Sequence, residues 1–111
     1  MLEMTEQRRD GATLLELKGR LDSDGAKALE GRLTALIAAG ATRLVLDLEQ
    51  LDYISSLGLR AILMAAKAAF AAKGKLVLCR PNAMVRRLFD VGFANVFEIY
   101  DTREAALAQV K

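Results

Sequence analysis

The sequence predicts one α/β domain: an N-terminal β-hairpin, then a mostly parallel sheet with about four helices. Three observations carry this. A tight-turn dipeptide, Asp10-Gly11, separates a polar segment from one with strand alternation. Beyond it, short apolar runs alternate with stretches of helical spacing, the pattern of strands joined by crossover helices. The connections are short, and no repeat, low-complexity tract or linker divides residues 1–111.

Glu6-Gln7-Arg8-Arg9 precedes the turn and suits an edge strand, where charge discourages sheet-to-sheet aggregation. After the turn, Thr13, Leu15 and Leu17 alternate with Leu14, Glu16 and Lys18, a half-buried strand. Gly19-Arg20-Leu21-Asp22-Ser23 ends it, and Asp22 or Ser23 can cap the next helix by accepting from its free N–H groups. Ala26, Leu29, Leu33, Leu36 and Ile37 recur at helical spacing, and Gly40 suits the left-handed residue past the helix end. Asp24-Gly25 in the first turn is expected to loosen it.

Arg43 to Leu48 is apolar on both faces, as a central parallel strand should be. Leu59, Ile62, Leu63, Ala66 and Phe70 mark the inward face of a second helix, with Gly74 as its terminator. Lys75 to Cys79 reads as a further buried strand. Pro81-Asn82 opens a short third helix with Val85, Leu88 and Phe89 inward and Gly92 at its end. Val96 to Tyr100 is a last strand. Asp101 and Thr102 cap a terminal helix, with Glu104 completing a capping box. Crossovers are expected to be right-handed, and sites to form at the carboxyl ends of the strands. That directs attention to two loops, 19–23 and 52–58.

Composition narrows the chemistry. Sixteen Lys and Arg against fourteen Asp and Glu leave a net charge of +2, and aromatic residues are 5%. Neither a basic footprint nor a stacking platform for nucleic acid is present. There is no histidine and one cysteine. Ser-His-Asp and Cys-His arrangements are therefore impossible, as are zinc sites built on His or on several Cys. A lone Cys79 points to a reducing compartment and reads as a small buried strand residue. The first residues are acidic where a signal peptide needs a basic patch, and the longest apolar run, Ala61 to Ala66, is far below the roughly 20 residues of a membrane span. A cytoplasmic protein without membrane or nucleic-acid partners is expected. No GxxxxGK[ST] or GxGxxG supplies a phosphate cradle, and no cofactor is anticipated.

The informative stretch is Leu51-Asp52-Tyr53-Ile54-Ser55-Ser56-Leu57-Gly58-Leu59. Ser55 or Ser56 should cap the second helix. The same spot suits a phosphate, because the dipole and open N–H groups favour an anion there. Gly58, lacking a side chain, would let another molecule approach the turn. Leu57, Ala61, Met64 and Ala68 share a stripe turned away from the core residues. It suits either a partner surface or packing against a neighbouring helix.

Tyr53-Ile54-Ser55-Ser56-Leu57-Gly58-Leu59-Arg60 resembles the signature of the STAS-domain anti-sigma-factor antagonists, in which a Ser lies two residues before a Gly at the start of the second helix. Gly19-Arg20-Leu21-Asp22, Leu46-Asp47-Leu48, Gly74-Lys75-Leu76-Val77-Leu78 and Val85-Arg86-Arg87-Leu88-Phe89 match in the same order, so the resemblance spans nearly the whole chain. It implies a binding switch rather than an enzyme. The unmodified protein binds a serine-kinase anti-sigma factor and releases the sigma factor. Phosphorylation ends the complex, and a metal-dependent serine phosphatase resets it. By motif position the phosphoacceptor is Ser56, and Asp22 matches a family residue at the partner surface. Ser55, Leu57, Gly58 and Met64 are expected beside them, Leu57 and Met64 by way of the helical stripe, with no metal or catalytic residue. Ser55 stands where the best-known members have Asp, and Leu57 where a small residue is usual. Two rivals keep other classes in view: an accessory STAS subunit of a lipid-handling ABC transporter, and an enzyme with Ser56 as nucleophile, which the missing histidine disfavours.

Overall fold

The Asp10-Gly11 turn folds the first two strands back on each other. Both residues take positive φ, 53° and 83°, the backbone of a two-residue hairpin whose twist matches its strands. Strand β1 (Leu2–Arg9) thus pairs antiparallel with β2 (Ala12–Leu21), from Arg9↔Ala12 to Leu2↔Gly19. The computed structural model describes residues 1–92 and 97–110. Helix α1 (Ser23–Ala38), β3 (Arg43–Ile54), α2 (Ser56–Ala71), β4 (Lys75–Cys79), α3 (Ala83–Gly92), β5 (Ile99–Tyr100) and α4 (Arg103–Val110) follow. The sheet order is β1-β2-β3-β4-β5, parallel beyond the hairpin.

Two apolar clusters flank the sheet. On one face Leu29 and Leu33 of α1, Leu59 and Ile62 of α2, and Val85 and Phe89 of α3 pack with Leu15, Leu17, Leu46 and Leu78. Each fully buried Leu contributes about 1.5–3 kcal/mol over exposure. On the other face α4 sets Ala106, Leu107 and Val110 on Ala12, Leu14, Val45, Val77 and Cys79. Both faces of β3 and β4 are thereby covered, which is why Leu44–Leu48 and Leu76–Cys79 are buried without alternation.

The structure departs from the sequence pattern at several positions. The buried face of α2 runs through Leu59, Ala61, Ile62, Ala65 and Ala69, leaving Phe70 79% exposed. Small side chains at 61, 65 and 69 face the core while the larger Phe70 is left outside. Leu88 of α3 is 41% exposed, whereas Val85 and Phe89 are buried as anticipated. Gly74 stands just past the end of α2 as anticipated, and the left-handed residue before it is Lys73 (φ 65). Gly74 is required by a close approach: a Cβ there would lie 2.1 Å from the Thr42 carbonyl oxygen. Gly25, expected to loosen α1, is buried in its first turn beside the Arg20 carbonyl. The last strand is described at Ile99–Tyr100, and Val96 lies outside the described residues. Thr102 caps α4, its Oγ1 accepting from the Ala105 N–H at 3.0 Å, while Asp101 pairs with Arg86 at 3.7 Å.

Candidate functional site

The carboxyl ends of β2 and β3 bring the two singled-out loops together. Leu21 pairs with Ile54, and the Ser55 N–H donates to the Leu21 carbonyl at 2.8 Å. The residues after that pair, Asp22 and Ser55, are the N-caps of α1 and α2. Two helix N-termini therefore open side by side at one end of the sheet.

Each cap satisfies one open donor. An Asp22 carboxylate oxygen accepts from the Gly25 N–H at 2.9 Å, and Ser55 Oγ accepts from the Gly58 N–H at 3.1 Å. The Gly25 bond holds the Asp22 carboxyl below its ordinary value. Ser56 is the first residue of α2 and is exposed. Among the described residues its hydroxyl has no hydrogen-bond partner. The open choice between the two serines at the cap is thus resolved in favour of Ser55.

Gly58 is buried, and the space where a side chain would stand is filled from within. A Cβ there would meet the Leu21 Cγ at 2.6 Å. The close approach that this glycine permits is that of Leu21, which locks the α2 turn onto the end of β2. The anticipated stripe divides. Leu57 and Met64 are each 53% exposed and Ala68 is exposed, but Ala61 is buried at 6%. A shallow groove between α1 and α2 carries Lys27 and Glu30 from α1 and Leu57, Arg60 and Met64 from α2. Met64 lies about 12 Å along the helix axis from Ser56 at 1.5 Å per residue. One ladder pair before Leu21 and Ile54, Arg20 pairs with Tyr53, and its guanidinium lies 4.2 Å from the centre of the Tyr53 ring.

A second constellation was not legible as such. Asp47, midway along β3 and fully buried, receives Arg80 on both oxygens, Nε to Oδ1 at 3.2 Å and Nη2 to Oδ2 at 2.5 Å. Arg103 Nε donates to the same Oδ2 at 2.6 Å, and the Glu49 N–H donates to Oδ1 at 3.2 Å. Arg80 also reaches Glu49 at 3.0 Å, and Arg103 pairs with Glu16. Burial raises the Asp47 carboxyl, but the bonds from Arg80, the Glu49 N–H and Arg103 outweigh it and leave the group below its ordinary value. The one signal in the sequence was a carboxylate inside a run otherwise apolar on both faces. Cys79, across the ladder from Asp47, is fully buried. Burial and then the Asp47 charge push its thiol up to about 12, so it is an inert packing group. Among the described residues no cluster of three or more Cys, Asp or Glu is placed to hold a metal ion, and no helix is long and apolar enough to cross a membrane.

Comparison with known proteins gives a consistent result. The family model described as the STAS domain matches residues 3–106. BtrV of Bordetella bronchiseptica, a proposed anti-sigma factor antagonist, is 41% identical over 111 residues, covering 99% of this chain and 96% of that protein. Among solved structures, a proposed anti-sigma factor antagonist from Thermotoga maritima superposes with a TM-score of 0.90 at 22% identity, covering 96% of this chain and 93% of the other. The phosphorylated form of the Bacillus cell fate determinant SpoIIAA gives 0.77 at 20% identity, over 100% of both chains. At these identities the two structures establish the shared fold.

Proposed function

This chain belongs to the STAS-domain family of anti-sigma-factor antagonists, and on that premise we propose that it is a partner switch whose phosphoacceptor is Ser56. It is a regulatory module rather than a catalyst. In its unmodified form it binds a serine-kinase anti-sigma factor and releases the sigma factor held there. The kinase supplies ATP, metal and general base, and this chain supplies a hydroxyl. A metal-dependent serine phosphatase removes the phosphate and restores binding, all within the cytoplasm. Asp22, Ser55, Leu57, Gly58 and Met64 form or support the partner surface.

The observation that carries this reading is the division of labour between adjacent serines. Ser55 is bound to the Gly58 N–H, whereas Ser56 stands exposed at the first position of α2. Phosphate there adds about −1.5 to −2 charges. The helix dipole favours that charge by about 0.3–1 kcal/mol, so the domain stays folded. Closing an interface over it removes its water, at a cost of several kcal/mol. About 4 kcal/mol already weakens binding near a thousandfold, so desolvation decides the outcome.

The test is a titration of the serine-kinase anti-sigma factor with unmodified chain and with chain carrying phosphoserine at 56, alongside melting curves of both. The expected result is loss of binding with the melting midpoint kept or slightly raised. Equal affinity of the two forms would sink the proposal.

A further inference from the structure

Strand β3 outruns its neighbour β4. Its ladder to β4 ends at Asp47↔Cys79, while its ladder to β2 continues to Leu21↔Ile54. Residues 48–54 lead directly into Ser55 and Ser56, yet among the described residues a strand flanks them on one side only. That one ladder is interrupted twice, between Glu16 and Lys18 and between Gly19 and Arg20. The strand end that presents the switch therefore depends on what meets it from the β4 side.

What meets it is the start of α3. After β4 the chain turns at Arg80 in the left-handed region (φ 56) and brings Asn82 back over β3. Asn82 uses both ends of its amide. Oδ1 accepts from the Val85 N–H at 2.8 Å and caps α3, while Nδ2 donates to the Leu51 carbonyl at 2.9 Å. The second bond stands where a longer β4 would have continued the sheet. A carboxylate or hydroxyl could cap the helix, but a carboxylate cannot also donate to Leu51.

We propose that Asn82 is a positioning residue for the switch: it clamps the overhanging end of β3 and so couples α3 to the geometry of Ser55 and Ser56. The functional half of this proposal rests on reading Ser56 as the phosphoacceptor. The clamp itself does not.

Asn82→Asp separates the two bonds, because Asp caps as well as Asn. Amide hydrogen exchange of the full chain is read at Ser55, Gly58 and Leu59, whose N–H groups bond to Leu21 O, Ser55 Oγ and Ser55 O. Val85 and Arg86, bonded to Asn82 Oδ1 and Asn82 O, are the controls. Asn82→Asp should speed exchange at the three site amides about tenfold, the equivalent of about 1.4 kcal/mol for an orphaned carbonyl, and leave the controls within about threefold. Asn82→Ala should speed both sets. In parallel, kcat/KM for phosphorylation of Ser56 by a purified serine-kinase anti-sigma factor should fall for Asn82→Asp, mainly through KM. Unchanged site exchange in Asn82→Asp would overturn the clamp. Faster site exchange with unchanged phosphorylation kinetics would overturn its role in the switch. If wild-type chain is not phosphorylated at all, the Ser56 reading fails, while the exchange data still decide the clamp.

Discussion

Ser55 Oγ lies 3.1 Å from the Gly58 N–H, and this bond distinguishes two adjacent hydroxyls that are equal candidates for the helix cap in the sequence. Removing it should cost the domain stability, not its phosphoacceptor. Ser55→Ala is expected to lose about 1 kcal/mol, the usual cost of an N-cap hydroxyl, and still to be phosphorylated. Ser56→Ala should fold with wild-type stability and take up no phosphate. Urea melts of both variants with mass spectrometry after kinase treatment check this, and a Ser55→Ala chain that cannot be modified would reverse the assignment.

Leu57 and Met64 are half exposed on one side of α2, facing the groove shared with α1. Met64→Glu should weaken kinase binding at least tenfold with a shift in unfolding free energy within about 0.5 kcal/mol, the range of surface substitutions. Calorimetric titration and a thermal melt give the two readings. A large loss of stability would place Met64 in the core instead.

Asp47 should govern the acid limb of stability. Its carboxyl titrates below the ordinary value in the folded chain, so its contribution is fully present above the unfolded value near 3.9 and is lost as pH falls through the lower folded one. Asp47→Asn leaves Arg80 and Arg103 without their shared anion and should cost about 3–5 kcal/mol at pH 7. Denaturant midpoints of wild type and variant should converge as pH drops below about 4. A gap that stays constant over that range would show that the loss is not electrostatic.

Lys73 and Gly74 make a paired test of backbone and packing. Gly74→Ala would drive a Cβ to within 2.1 Å of the Thr42 oxygen, and should cost about 1–3 kcal/mol. Lys73→Gly relieves a left-handed side chain worth about 1–2 kcal/mol against an unfolded-state entropy of about 0.4–1 kcal/mol, so its net effect should be a small gain. Differential scanning calorimetry should show opposite signs for the two.

What could be read from sequence was local. Asp10-Gly11 forms its turn from two residues' backbone preferences, and the caps at Asp22 and Ser55 from side chains three residues from their donors. The inward face of α2 was set too far toward Phe70, because apolar spacing weights large residues, while the α2 positions that the fold buries include Ala61, Ala65 and Ala69. The true length of β3 was hidden by its two register shifts. Asp47 gave a visible anomaly but no partner, since Arg103 is 56 residues away and nothing local points to it. Gly58 reads in sequence as an opening for another molecule, but the space beside it is filled by Leu21 of the same chain, an occupant set by tertiary packing.

The distance along the chain between Asp47 and its cations also sets an order of events during synthesis. Arg80 follows Asp47 by 33 residues and Arg103 by 56. At a translation rate of about 5–20 residues per second, roughly 3–11 seconds separate the emergence of Asp47 from that of Arg103. Throughout that interval the middle strand of a nascent chain carries a carboxylate that cannot enter the sheet with its full set of donors. Burial of the central strand before α4 has been made would leave that carboxylate without the bond from Arg103, so the fully paired site waits on the last helix.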